Sequence, residues 1–112
     1  MKRVLFVCLG NICRSPAAEA MLRSHAEKAG LSDSIFVTSC GIGDWHLGKQ
    51  ADLRMREAAL YRGITIQTKA KVFVPTFLKE FDYIMASDHE VLEYLHRFAR
   101  TPEEKSKLHL MT

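Results

Sequence analysis

The first apolar run, Val4-Leu5-Phe6-Val7, has no polar residue alternating within it. A continuous run of this kind predicts a strand over residues 2–9 that is covered on both faces, as in a parallel sheet. Gly10-Asn11 then marks a turn. A helix follows at once, with Ser15 placed as N-cap and Pro16 at its first position. Ala18, Met21, Leu22, Ala26 and Ala29 mark its expected apolar face, and Gly30 its stop. Ile35-Phe36-Val37 predicts a second, short strand, and Ser39 to Gly48 a loop. Asp52 to Arg62 reads as a helix ended by Gly63. Beyond a looser stretch around Pro75, residues 81–86 predict a third strand, and the box Ser87-x-x-Glu90 opens a helix running to about Phe98. Thr101-Pro102-Glu103-Glu104 repeats the helix-start signal before a fourth apolar stretch, Leu108 to Met111. Strands separated by helices predict an α/β fold with a parallel sheet.

Composition narrows this picture. The 112 residues are 47% hydrophobic and 26% charged, as expected of one domain that buries about 65% of its unfolded surface. No apolar run approaches the roughly 18 residues that span a bilayer. The N-terminus lacks the sections of a signal peptide, so a cytoplasmic protein with no membrane partner is expected. The net charge of +3 is spread from Lys2 to Lys107 without a dense basic run, which argues against nucleic acid and suits a small anionic ligand. Three cysteines, Cys8, Cys13 and Cys40, are too few and too oddly numbered for a disulfide scaffold. His25, His46, His89, His96 and His109 show no metal-ligand spacing, so neither a metal nor a cofactor is implied.

The chemistry concentrates in Cys8-Leu9-Gly10-Asn11-Ile12-Cys13-Arg14-Ser15-Pro16. Cys8 stands at the C-terminal end of the first strand, where open α/β sheets bind ligands. Leu9, Gly10, Asn11, Ile12 and Cys13 would turn their backbone N–H groups inward, and the following helix adds its positive end, which together make an oxyanion cradle. Arg14 supplies a planar fork for two phosphate oxygens. The same field favours Cys8 as a thiolate able to attack phosphorus in line, and Ser15 is positioned to donate a hydrogen bond to the sulfur when it leaves. A cysteine six residues before an arginine is a weak signal alone. Here it coincides with a strand end, a glycine turn and a helix start. A plain turn with buried thiols would leave Arg14 at a helix N-terminus, where its charge is unfavourable.

Val4 to Glu19, Ser39-Cys40-Gly41-Ile42-Gly43-Asp44-Trp45-His46-Leu47-Gly48 and Phe81-Asp82-Tyr83-Ile84 resemble the low-molecular-weight protein tyrosine phosphatases, and the resemblance extends over the whole chain. It implies a three-layer α/β/α fold with four parallel strands in the order 2-1-3-4. It implies hydrolysis of phosphotyrosine proteins or small aryl phosphates through a cysteinyl-phosphate on Cys8. Arg14 would bind the phosphoryl group, Ser15 assist the leaving thiolate, and Asn11 and Ser39 hold the loop. Cys13 would be the redox partner of Cys8. Trp45 would line the rim; a lone tryptophan is more often core, but its glycine-rich loop favours the rim. Cys40 reads as a small loop residue.

Three positions depart from the family pattern. Thr68-Lys69-Ala70-Lys71 stands where the family usually has a histidine before Lys-Ala-Arg, and Asp52-Leu53-Arg54 where Asp-Pro-Arg is common. The family's general acid is the aspartate of an Asp-Pro-aromatic motif, and none of Asp33, Asp44, Asp52, Asp82 or Asp88 precedes a proline. The general acid is therefore unassigned. The expectation is a single domain over 1–112 whose C-terminal part and terminal helix are absent, with strands three and four open to solvent on one face or covered by self-association. Activity would then be confined to aryl phosphates with good leaving groups. The alternatives are a phosphate- or phosphopeptide-binding pseudo-enzyme, a phosphoarginine phosphatase, against which Ile12 leans, and an arsenate reductase, which needs cysteines beyond Cys40. Arg14 argues against a sugar-transport phosphocarrier domain.

Overall fold

Strands β1 (Lys2–Cys8), β2 (Ile35–Gly41), β3 (Tyr83–Ala86) and β4 (Leu108–Leu110) form one parallel sheet in the order β2-β1-β3-β4, as the resemblance implied. The computed structural model describes residues 1–10, 14–43, 48–67 and 69–111. Among the described residues are five helices: α1 (Arg14–Lys28), α2 (Leu53–Tyr61), α3 (Phe77–Glu80), α4 (His89–His96) and α5 (Pro102–Ser106). The main core fills one face of the sheet, where Leu5, Val7, Ile84 and Ala86 meet Val91 and Leu95 of α4 and the aromatic rings of Phe73 and Phe81. On the other face α1 packs against β1 and β2. Tyr83 and Met85 alternate with the buried Ile84 and Ala86, and Tyr83 remains exposed.

Both predicted glycine stops hold. Gly30 and Gly63 have φ of 74° and 77°, a left-handed conformation costly for any residue with a Cβ. In each case the next amide reaches back five residues, Leu31 N–H to Ala26 (2.7 Å) and Ile64 N–H to Ala59 (2.8 Å), and so satisfies a carbonyl at the helix end.

Several boundaries differ from the sequence reading. Helix α1 already includes Arg14 and Ser15, so Ser15 is not its N-cap; its hydroxyl turns toward the end of β1 instead. The buried residues of α1 are Ser15, Pro16, Glu19, Ala20 and Ala26, whereas Met21 and Ala29 are exposed. The apolar face was misplaced because the line facing β2 is polar. Strand β2 runs on to Gly41, since β1 continues beside it through the pairs Phe6↔Ser39, Val7↔Cys40 and Cys8↔Gly41. Cys40 is therefore a fully buried strand residue rather than a loop residue. Asp88, not Ser87, caps α4, accepting from Val91 N–H at 2.9 Å. Helix α3 carried no sequence signal, and Thr76 before it makes no side-chain cap bond.

Candidate active site

The parallel arrangement brings the C-terminal ends of β1 and β3 side by side, with Val7 opposite Ala86 and the Ser87 amide bonded to the Val7 carbonyl at 2.9 Å. Cys8 ends β1 there, with only 4% of its surface exposed. The first turn of α1 begins at the same place. Its Ser15 is fully buried, with Oγ 2.8 Å from Cys8 Sγ. That hydroxyl also donates to the Cys40 carbonyl at a longer 3.4 Å. One O–H cannot serve both acceptors fully, and the shorter contact is with the sulfur.

Arg14 is exposed and makes an ion pair with Asp88 at 3.0 Å. Sequence reasoning missed Asp88 as a site residue. The available signal was a carboxylate at the C-terminal end of a strand that neighbours β1. Its capping bond from Val91 N–H is the largest cause holding the Asp88 carboxyl below the usual aspartate value; burial opposes it, and the hydrogen bond and charge of Arg14 add to the lowering. An arginine at a helix start meets an unfavourable dipole, and this carboxylate offsets it.

Ser39 is also fully buried, and donates to Glu19 Oε1 at 2.6 Å. The other oxygen of Glu19 accepts from Arg23 at 2.6 Å, and the same Arg23 nitrogen reaches the Val37 carbonyl at 3.1 Å. Sequence reasoning missed Glu19 and Arg23, because a carboxylate and a guanidinium four residues apart on a helix read as a solvated surface pair. The end of β2 is pinned by residues 71–73: Gly41 N–H donates to the Lys71 carbonyl at 2.8 Å and Phe73 N–H to that of Gly41 at 2.7 Å. The Lys71 ammonium donates to the Thr38 hydroxyl. Burial drives the Cys40 thiol far up from its ordinary range; the Lys71 charge opposes this and Cys8 adds to it. Cys40 packs in the main core with none of its surface exposed.

Among the other predicted site residues, Leu9 is exposed and Gly10 half-buried at the end of β1. Asn11, Ile12, Cys13 and Trp45 lie outside the described residues, as does Thr68. Among the described residues no three His, Cys, Asp or Glu side chains converge as metal ligands would. None of the described helices is long and apolar enough to cross a membrane.

Residues 3–112 match the family described as Low molecular weight phosphotyrosine protein phosphatase. A protein of that name from Schizosaccharomyces pombe is 46% identical over 96 residues, which are 85% of this chain and 62% of the relative. Low molecular weight phosphotyrosine protein phosphatase 2 of Drosophila melanogaster is also 46% identical over 96 residues, 86% of this chain and 58% of the relative. The chain thus spans about three-fifths of the length of these curated relatives. Among solved structures, YfkJ from Bacillus subtilis superposes with a TM-score of 0.93 at 40% identity, covering 98% of this chain and 69% of that one. A protein tyrosine phosphatase from Entamoeba histolytica gives 0.91 at 37% identity, covering 96% and 69%.

Proposed function

The chain belongs to the low molecular weight phosphotyrosine protein phosphatase family, and from that premise we propose that it hydrolyses phosphomonoesters of the phosphotyrosine type through a cysteinyl-phosphate on Cys8. The observation that carries the reading is the 2.8 Å contact of Cys8 Sγ with the buried Ser15 hydroxyl, at the strand end where α1 begins.

In the first step the Cys8 thiolate attacks phosphorus; the S–P bond forms, the P–O bond to the aryl group breaks, and the aryloxide leaves and takes up a proton. Arg14 presents its fork to two of the phosphoryl oxygens, and Asp88 holds that fork in orientation. By their sequence position Leu9, Gly10, Asn11, Ile12 and Cys13 supply the backbone N–H cradle for the phosphoryl oxygens. In the second step water attacks phosphorus, the S–P bond breaks and inorganic phosphate departs. Ser15 donates its hydroxyl proton in a hydrogen bond to the returning thiolate, which makes it a better leaving group. Ser39 supports the loop, Trp45 borders the aryl group, and Cys13 is the thiol with which Cys8 forms a reversible disulfide on oxidation. Substrates are phosphotyrosine proteins or small aryl phosphates.

The test compares wild type with Cys8→Ser on p-nitrophenyl phosphate. Serine keeps the shape but is a far poorer nucleophile, so turnover falls by about 10³-fold or more, and a phosphoenzyme is trapped from wild type alone. Equal rates for the two proteins would overturn the reading, and phosphate binding that survives in Cys8→Ser without any wild-type turnover would replace it with a binding module.

A further inference from the structure

Among the described residues the Ser87 hydroxyl is the one buried side-chain oxygen or nitrogen with no hydrogen-bond partner. Ser87 is 4% exposed and follows directly on β3. The pairs Val4↔Tyr83, Leu5↔Ile84, Phe6↔Met85 and Val7↔Ala86 run in register, and the bond from Ser87 N–H to the Val7 carbonyl at 2.9 Å carries the ladder one residue further. Ser87 therefore comes abreast of Cys8. Leu5, Val7, Ile84 and Ala86 point into the main core, so by alternation Cys8 and Ser87 point to the other face, where α1 lies. The 2.8 Å contact of Cys8 Sγ with Ser15 of α1 agrees with this for the sulfur. Neighbouring strands lie about 4.8 Å apart, so two short side chains abreast on one face reach each other through rotation about one χ1 angle.

From this juxtaposition we infer that Ser87 is a second catalytic hydroxyl, which turns to donate to the Cys8 sulfur when that sulfur is charged. A neutral thiol is a weak acceptor, and the hydroxyl stays unpaired beside it. A thiolate is a strong acceptor, and a bond to the charged form favours that form. A buried hydroxyl without a partner costs the fold stability, and the charged sulfur removes that cost. Ser15 brings Cys8 one hydroxyl proton, and Ser87 adds another. The sulfur carries charge twice in the cycle, before it attacks phosphorus and again when the S–P bond breaks, so Ser87 serves both steps. The inference deepens the proposed function and rests on it for the role of Cys8. Several other charged or titratable groups belong to the elements around Ser87. Arg14 pairs with Asp88, Glu19 accepts from Ser39, and the Lys71 ammonium bonds to Thr38. Burial holds the Cys40 thiol protonated, His109 of β4 lies against Tyr83, and His89 is exposed at the start of α4. Wild type and a Ser87 variant share all of these, so a difference between the two reports on the sulfur.

The experiment is alkylation by iodoacetamide at pH 7 and pH 10 in wild type and Ser87→Ala, assigned to Cys8 by fragmenting the peptide that holds Cys8 and Cys13. It reads the thiolate without requiring turnover. Ser87→Ala lowers the rate at Cys8 by about fivefold at pH 7, where the hydroxyl shifts the balance between thiol and thiolate. At pH 10 the variant reacts at least as fast as wild type, because a thiolate with one bond fewer is the better nucleophile. Thermal melts give a second reading. At pH 5 the variant melts as high as wild type or higher, having lost only an unpartnered group, and at pH 9 it melts lower. Equal alkylation rates at pH 7, or a melting loss that is the same at pH 5 and pH 9, overturn the inference while leaving the phosphatase reading intact. A wild type that hydrolyses no p-nitrophenyl phosphate, yet loses Cys8 reactivity at pH 7 on Ser87→Ala, supports the bond to sulfur and overturns the phosphatase reading.

Discussion

Asp88 serves two groups with one carboxylate, capping α4 through Val91 N–H and pairing with Arg14. Its carboxyl titrates below the ordinary aspartate value of 3.8. A group whose folded-state value is depressed contributes stability that is fully present above its unfolded value and is lost as pH falls through the folded one. Asp88→Asn is therefore expected to lower the melting temperature at neutral pH, by a difference that narrows as pH drops below about 3.8. Melting curves from neutral to acid pH check this, and a gap that widened on acidification would contradict it. The nearness of Cys8 to Ser15 was legible in the sequence, because both lie in a contiguous segment that joins a strand end to a helix start. Asp88 comes from 74 residues further along the chain. Its place beside Arg14 exists only once β1 and β3 pair, and no local pattern could announce that.

Helix α4 was readable because it obeys the ordinary rule of an apolar stripe: Val91 and Leu95 are buried one turn apart against the sheet. Leu95→Ala is expected to cost about 2–4 kcal/mol, as for fully buried leucines elsewhere. Leu60→Ala on α2, at a position 64% exposed, should change stability by less than about 0.5 kcal/mol. Urea unfolding of the two variants decides the matter, and equal losses would show that α4 is not seated as described. Helix α1 defeated the same rule. Its buried line holds Ser15 and Glu19, which a hydrophobic pattern assigns to solvent, so the predicted face was displaced onto Met21 and Ala29. The far end of β2 was missed for a related reason. Ser39-Cys40-Gly41 looks like a turn, and becomes strand only because β1 offers it three more pairing positions and Glu19 satisfies the Ser39 hydroxyl.

Across the whole molecule stability is distributed unevenly. The large cluster around Leu5, Ile84 and Leu95 ties β1, β3, β4 and α4 together. Helix α2 buries none of its own residues fully, and rests through Met55 and Ala59 on a small satellite cluster around Ala20, Ala51 and Ile66. Hydrogen exchange should therefore release the α2 amides by local opening well before those of β1 and β3. Protection of α2 equal to that of β1 would show a single cooperative unit instead. The amino-acid sequence by itself determined the alternation of strands and helices, the glycine stops at Gly30 and Gly63, and the nearness of Ser15 to Cys8. Each of these depends on near neighbours in the chain: side-chain period, backbone conformation at one residue, or a short loop. Only the tertiary structure decided that Asp88 faces Arg14, that Cys40 is sealed in the core, and that Glu19 turns inward to meet Ser39. Those outcomes follow from pairing and burial between distant segments, where a charged residue lies in the interior only because its partners arrive from elsewhere in the fold.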